Sequence, residues 1–284
     1  MYEYLKSSPL ASLLIKAQKS VFSSTVGENS TFLKGSGFDF VELREYSTGD
    51  DIKHIDWIIS AKKNRPHVKV FHQEKELNIS ITPLLSASLN FGTHKLKLDT
   101  LQETVALLAF SSVKQENAYQ SYIYTKEIQI GTKLSKNIFS VRELLEKIHK
   151  VPLFGESINY KALPSKFNRV LKQHSLLFFI GDFLNTQDLE IGFLADKHEI
   201  IIIIIRDRFE ENPTALGEIN ITDPQSGLSA RVNIDKKAAL KLKMKLLKDD
   251  DILFSKLNKS GVKYLKIYTD EEPLEKLLPF MSSI

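Results

Sequence analysis

The sequence predicts an α/β fold in which a doubly wound, mostly parallel sheet is joined to a small N-terminal β-containing region. From about residue 76 onward, apolar stretches of strand length alternate with segments of helical periodicity, an alternation typical of right-handed crossovers between parallel strands. The six isoleucines at 200–205 have the length of a strand that is buried on both faces. Residues 22–75 are instead rich in Gly, Ser, Thr and charge. We therefore expect two parts, residues 1–75 and 76–284.

Each element of the larger part is assigned from its periodicity. The predicted strands lie at 77–85, 119–124, 176–180, 200–205 and 262–268, and the predicted helices at 98–113, 138–149, 160–173, 186–195 and 236–258. In the N-terminal part, apolar residues at helical spacing after Pro9 predict a short amphipathic helix. Extended pieces are expected at 38–46 and 67–73.

The composition excludes several classes of protein. With 42% hydrophobic and 26% charged residues, the chain is globular rather than disordered. It has no cysteine, which excludes disulfides, thiolate metal sites and a cysteine nucleophile and fits a reducing, cytoplasmic compartment. The net charge of +4 is too small for a dedicated nucleic-acid protein. The longest apolar run is far shorter than the roughly 20 residues of a membrane span.

The helix predicted at 236–258 carries many lysines. Projected as a helix, Lys237, Lys241, Lys245 and Lys248 fall on one side, and Leu240, Leu242, Leu246, Leu247 and Phe254 on the other. This pattern predicts a solvated basic face above an apolar stripe that packs on the core. A nucleic-acid or lipid-headgroup surface is the alternative, but no aromatic residues are interleaved to support it.

Familiar catalytic signatures are absent from the sequence. It contains no phosphate-binding loop of the G-x-x-x-x-G-K-[ST] type, no G-x-S-x-G nucleophile elbow and no H-E-x-x-H pair.

One stretch, residues 37–57, combines an alternating strand, a turn and a short helix that carries the single Trp. Its carboxylates indicate either general acid–base chemistry or an ion-pair network that fixes the turn, and the second is the stronger interpretation. We expect Arg44 to form a buried bidentate pair with Asp50 or Asp56. We also expect Trp57 to plug the space between the N-terminal region and the sheet, so that its truncation would destabilise the fold.

The same stretch reads G-x-x-F-x-E-x-R-E-Y-x-x-G-D-D-x-x-x-I-D-W and closely resembles the hallmark of the bacterial DUF58 family. The residues that carry this motif are Glu42, Arg44, Glu45, Tyr46, Gly49, Asp50, Asp51, Asp56 and Trp57. Weaker matches follow in the same order as in the family, at 86–92, 181–183, 221–224 and 268–270.

The resemblance implies a von Willebrand factor A-like, Rossmann-like domain with its functional face at the carboxyl ends of the strands. In relatives with an intact metal-ion-dependent adhesion site, D-x-S-x-S, a Thr and a second Asp hold Mg²⁺. Here Ser86 and Ser88 match the two serines, Ser157 replaces the Thr and Asp182 matches the second Asp, but Leu84 stands where the first Asp belongs. We therefore expect a degenerate site without a cofactor, because Mg²⁺ usually requires one or two carboxylates.

Two functions remain open. The resemblance implies a non-catalytic adaptor that works with a MoxR-type AAA+ ATPase in the maturation or assembly of protein complexes. Its partner-binding face would be formed by Ser86, Ser88, Ser157 and Asp182, with the 42–57 motif as a further docking surface. The alternative is a metal-assisted hydrolase that uses the carboxylates of the 42–56 motif.

Overall fold

The computed structural model describes residues 9–23, 39–72, 78–222 and 227–283. They divide into two compact units, of which the smaller lies within Lys34–Glu76. Helix α1 (Pro9–Ser23) belongs to the larger unit, and its Ala17 and Val21 are buried in that unit's core. The sequence analysis places the division at residue 75 and assigns α1 to the N-terminal part.

The smaller unit is built on an antiparallel pair of strands, β1 (Asp39–Glu45) and β2 (His67–His72). A 3-10 turn at Ile52–His54 and helix α2 (Trp57–Lys63) connect them. Helix α2 ends at Asn64, whose backbone adopts the left-handed conformation common at helix ends.

The larger unit contains a six-stranded sheet in the order β10-β7-β6-β3-β4-β5. Its strands are β3 (Ile79–Pro83), β4 (Tyr119–Tyr124), β5 (Ile128–Ser135), β6 (Leu176–Gly181), β7 (Glu199–Arg206) and β10 (Lys263–Tyr268). All pairings are parallel except β4 with the edge strand β5. A separate hairpin consists of β8 (Gly217–Thr222) and β9 (Ser229–Ile234). This is the mixed α/β architecture that the sequence predicts, and it is compatible with a Rossmann-like fold.

The crossovers between the strands of this unit are helical. They include α3 (Lys97–Lys114), α4 (Ile138–Lys150), α5 (Leu163–Val170), α6 (Gly192–Ala195), α7 (Arg208–Glu211) and α8 (Lys236–Lys259), whereas α9 (Pro273–Ser282) follows the last strand, β10. No helix of the described residues is both long and apolar enough to span a membrane.

Two apolar clusters pack against the sheet, and β7 contributes to both of them. Ile201, Ile203 and Ile205 belong to the cluster that includes α1 and α3, and Ile200, Ile202 and Ile204 to the cluster that includes α5 and the end of α8. Alternate side chains of a strand point to opposite faces. The isoleucine run is therefore buried on both sides, as predicted.

The predicted strands are all present with shifts of a few residues at their ends. The sequence analysis missed β5 and the β8–β9 hairpin, because both alternate mainly polar with apolar residues and leave much of their surface exposed. Of the helix expected at 186–195, only the single turn of α6 is observed.

The prediction that α8 packs an apolar stripe on the core is wrong for the first half of this helix. Leu240, Leu242 and Leu247 are 59%, 49% and 42% exposed, whereas Leu253 and Leu257 are buried. Only the second half of α8 packs its apolar side on the core. The first half displays leucines and lysines together.

Gly181, the last residue of β6, is a position where a side chain does not fit. A Cβ there would lie 2.9 Å from Leu84 Cβ and 3.2 Å from the Leu84 carbonyl oxygen. We expect Gly181→Ala to lower the free energy of unfolding by about 1–3 kcal/mol, the usual cost of overpacking, measured by urea denaturation. Gly192→Ala is the matched control, since its Cβ would meet nothing closer than 3.5 Å. Equal stability of the two variants would contradict this packing.

Candidate functional site

The crevice at the carboxyl ends of β3 and β6 is the natural place for a site in this sheet. The chain leaves β3 to form β4 on one side, and β6 later takes the position on its other side. Ligands of open α/β sheets bind where the strand order reverses in this way. Ser86 and Ser88 follow β3, and Asp182 follows β6.

The structure brings the four residues expected at this face together. The Ser86 and Ser88 hydroxyl oxygens are 2.8 Å apart, and Ser88 Oγ donates a hydrogen bond to Asp182 Oδ2. Together with Ser157, these residues line a cavity of about 170 Å³. The Ala87 amide donates to the Glu156 carbonyl at 2.9 Å, which holds the Ser157 loop against the serine loop.

Lys97 is the residue of this site that sequence analysis missed. Its Nζ lies 3.1 Å from Asp182 Oδ2 and 2.6 Å from Glu210 Oε1, and its side chain is 0% exposed. Lys97 begins α3, where the helix dipole disfavours a positive charge. The two carboxylates must therefore compensate both the dipole and the loss of solvation. The sequence signal that could have identified Lys97 is a lysine at the start of a helix that is otherwise buried.

Asp182 and Tyr160 are unsuited to act as bases near neutral pH. Burial raises the pKa of Asp182, but the Lys97 charge, the Ser88 hydrogen bond and Arg206 outweigh it and leave that pKa below its usual value. The ionised form of Asp182 therefore stabilises the fold above the ordinary carboxyl pKa, and this contribution is lost as the pH falls through the lowered value. Burial, followed by the Asp182 charge, raises the pKa of Tyr160, which also lines the cavity.

A second carboxylate, Asp207, ties neighbouring loops to the end of β7. It accepts hydrogen bonds from the Thr93 amide at 2.7 Å and from Thr269 Oγ1 at 2.6 Å. Burial raises its pKa, but these hydrogen bonds and that of the Phe209 amide lower it below the usual value overall. The loop that carries Thr93 requires Gly92, because a Cβ there would lie 1.9 Å from the Lys95 carbonyl oxygen.

The residues of the site do not fit a divalent cation. The oxygen donors are hydroxyls and the single carboxylate of Asp182, and the Lys97 ammonium already contacts that carboxylate. Leu84 is 1% exposed and belongs to an apolar cluster with Tyr124 and Phe179. Among the residues that the structure describes, no group of three or more His, Asp or Glu side chains is placed to hold a metal.

In the smaller unit, Arg44 forms the expected fork with Asp50. Its Nη1 and Nη2 donate to the two Asp50 carboxylate oxygens at 2.8 and 2.7 Å. The expectation that this pair is buried is wrong, since the Arg44 side chain is 41% and the Asp50 side chain 21% exposed. The Arg44 hydrogen bond, together with one from the Ser47 amide, lowers the pKa of Asp50. Because water screens a pair this exposed, it contributes mainly to the shape of the turn.

Asp51 and Asp56 of the motif also have structural partners. Asp51 accepts from the Lys53 amide and caps the 3-10 turn. Asp56 accepts from two amides of α2 and pairs with Lys69 at 2.9 Å, and the amide hydrogen bonds followed by Lys69 lower its pKa.

The remaining motif residues complete the turn. Glu45 pairs with Arg65 at 3.2 Å, and the Tyr46 amide donates to the Pro66 carbonyl at 2.8 Å. Gly49 has a φ of 112°, a conformation that favours glycine. The side chain of Glu42 lies outside the described residues.

The expectation that Trp57 is a buried plug is wrong. Trp57 is 68% exposed and Ile58 is 72% exposed. Asp56 caps the helix that begins at Trp57, so these two side chains occupy its first turn. Their exposure leaves little packing to lose on truncation.

The buried position of Lys97 gives a stability prediction. Lys97→Met would leave the Asp182 carboxylate buried without its cation, and we expect a loss of about 3–5 kcal/mol in the free energy of unfolding. Lys147→Met is the matched control, since Lys147 and its partner Glu143 are 42% and 62% exposed and the pair should contribute less than about 1 kcal/mol. Comparable losses for both variants would contradict the special role of Lys97.

The donor set predicts that Mg²⁺ and Mn²⁺ bind no more tightly than millimolar. Calorimetry with either ion on the purified protein tests this, with Asp182→Ala as the control. Because Leu84 packs in an apolar cluster, we expect Leu84→Asp to destabilise the protein rather than to create a metal site. Micromolar affinity that disappears in Asp182→Ala would overturn this assignment.

Proteins of two mycobacterial species are similar in sequence to this chain. Uncharacterized proteins of Mycobacterium bovis and Mycobacterium tuberculosis are 23% identical over 214 residues, which cover 74% of this chain and 68% of theirs.

Among solved structures, the conserved hypothetical protein BatB of Bacteroides thetaiotaomicron has a TM-score of 0.48 at 9% identity and covers 73% of this chain and 98% of its own. An aerotolerance-related membrane protein of Bacteroides fragilis has a TM-score of 0.43 at 9% identity and covers 73% of this chain and 100% of its own. At TM-scores below 0.5, neither likeness says anything further about this chain.

The family model that matches spans residues 42–249. This range includes both the motif of the smaller unit and the Ser86–Asp182 crevice. The chain belongs to the family described as "Protein of unknown function DUF58".

Proposed function

We propose that this chain is a non-catalytic adaptor whose larger unit is a von Willebrand factor A-like domain with a degenerate metal-ion-dependent adhesion site. The order of the loops supports this fold, because a Ser-x-Ser pair follows β3 and Asp182 follows the neighbouring strand at the switch point. The Lys97 ammonium supplies the positive charge that a metal provides in an intact site.

The exposed apolar pair of α2 is the observation that carries the adaptor function. Trp57 and Ile58 are 68% and 72% exposed, on a helix whose start is fixed by Asp56 and Lys69. Ile52, on the preceding turn, is a further 64% exposed. Large apolar side chains grouped on a surface mark protein-binding sites, and tryptophan is enriched among the residues that dominate binding energy.

The partner we propose is a MoxR-type AAA+ ATPase, and the compartment is the cytoplasm. This assignment rests on the resemblance of the 37–57 motif to its family and on the role that the family implies. The client of the complex would be a protein assembly in maturation.

The alternative of a metal-assisted hydrolase is not favoured by the contacts of the motif. Asp51 and Asp56 accept backbone amides at the starts of helical segments, and Asp50 is engaged by Arg44. Asp50 and Asp56 have lowered pKa values, whereas a general acid at neutral pH requires a raised one.

The adaptor function predicts that Trp57→Ala separates binding from stability. With a MoxR-type ATPase from the source genome, we expect the full-length protein to form a complex that this variant weakens about tenfold or more. The melting temperature should stay unchanged, because the side chain is exposed. Fluorescence polarisation and thermal denaturation measure the two quantities.

Phe139→Ala is the matched control, since Phe139 is 76% exposed but lies in α4, outside the motif. Equal affinities of the two variants, or no complex with wild-type protein, would contradict the proposal. So would a large fall in the melting temperature of Trp57→Ala, which would make Trp57 a structural residue.

A further inference from the structure

A second cavity, which we call the Arg206 pocket, opens beside the Ser86–Asp182 crevice. It has a volume of about 380 Å³. Its walls are mainly apolar and include Phe91, Leu184, Phe209, Pro213, Leu242 and Leu246. These residues come from the loop before α3, the loop after β6, the α7 region and the first half of α8.

Arg206 also lines this pocket, and its guanidinium is fully buried. Its Nη2 donates to Asp250 Oδ1 at 2.7 Å and to the Phe183 carbonyl at 3.3 Å. Its Nε and Nη1 are buried and have no acceptor among the described residues. Asp250 pairs with the charge of Arg206, so this part of the wall presents no unpaired charge to a ligand.

The first half of α8 forms one wall of the pocket through Leu242, Lys245 and Leu246. Leu242 is 49% exposed. At about 100° per residue, Lys241, Lys245 and Lys248 lie together on the flank of the helix beside Leu242 and Leu246, whereas Leu240 and Met244 lie on the opposite side. An apolar pocket flanked by this positive charge is complementary to a segment that combines apolar side chains with carboxylates.

Two acidic side chains also line the pocket, but they leave this complementarity intact. Glu210 is paired at 2.6 Å with the Lys97 ammonium, which Asp182 shares. Asp249 is a single charge next to the lysine-rich surface. The concave shape favours an inserted side chain of a peptide over the flat surface of a bilayer.

We propose that the Arg206 pocket and the first half of α8 bind an acidic, apolar peptide segment of a partner protein. A large apolar side chain enters the pocket, and flanking carboxylates lie along the lysines of α8. This surface involves neither Trp57 nor the serine cluster. The proposal therefore goes beyond the adaptor function and is tested independently of it.

Panning a phage-displayed library of random dodecapeptides against the full-length protein tests the proposal. The expected peptides share a large apolar residue flanked by Asp or Glu. Leu242→Glu should weaken their binding about tenfold or more by placing a like charge at the pocket. Leu242 is half exposed, so this variant should fold.

Leu134→Glu is the matched control, because Leu134 is 59% exposed on the edge strand β5 and should leave peptide binding unchanged. Selection of basic peptides, of no consensus, or of peptides insensitive to Leu242→Glu would overturn the proposal. Binding to phosphatidylglycerol vesicles that Leu242→Glu abolishes, without any selected peptide, would overturn it in favour of a lipid surface.

Discussion

The strand-end face of the larger unit depends on one buried ammonium. Lys97 reaches from the start of α3 to Asp182 after β6 and to Glu210 in α7, so a single side chain joins three segments that are distant in sequence. Each carboxylate is tied further, Asp182 to Ser88 and Glu210 to the Asp207 amide. Breaking a buried ion pair leaves an uncompensated charge, and the loops around the crevice therefore hold one arrangement.

This interaction also supports the proposal that the face binds a partner rather than catalyses a reaction. The one carboxylate among the expected metal ligands is already paired with an internal cation, and its pKa is lowered. In the smaller unit, Asp51 and Asp56 cap helical segments and Asp50 fixes a turn. In both units these charged residues fix the conformation of loops. The exposed apolar side chains are the groups that the proposed partner would bury.

The sequence predicts the sheet well, because burial on both faces produces long apolar runs such as 200–205. The resemblance to the family also selects Ser86, Ser88, Ser157 and Asp182, and three of these residues meet because they follow the adjacent parallel strands β3 and β6. The sequence analysis misses Lys97 because its carboxylate partners lie 85 and 113 residues away. It assigns Trp57 to the interior by its type and the leucines of α8 by their periodicity, and neither criterion distinguishes a core from a binding surface.

A double-mutant cycle on Lys97 and Asp182 tests the central claim most directly. The cycle compares wild-type protein with Lys97→Met, Asp182→Asn and the double variant by urea denaturation at neutral pH. If the ammonium and the carboxylate compensate each other, the double variant is more stable than the sum of the two single losses predicts, by about 1–3 kcal/mol. Losses that simply add would contradict the claim that Lys97 and Asp182 hold this face together.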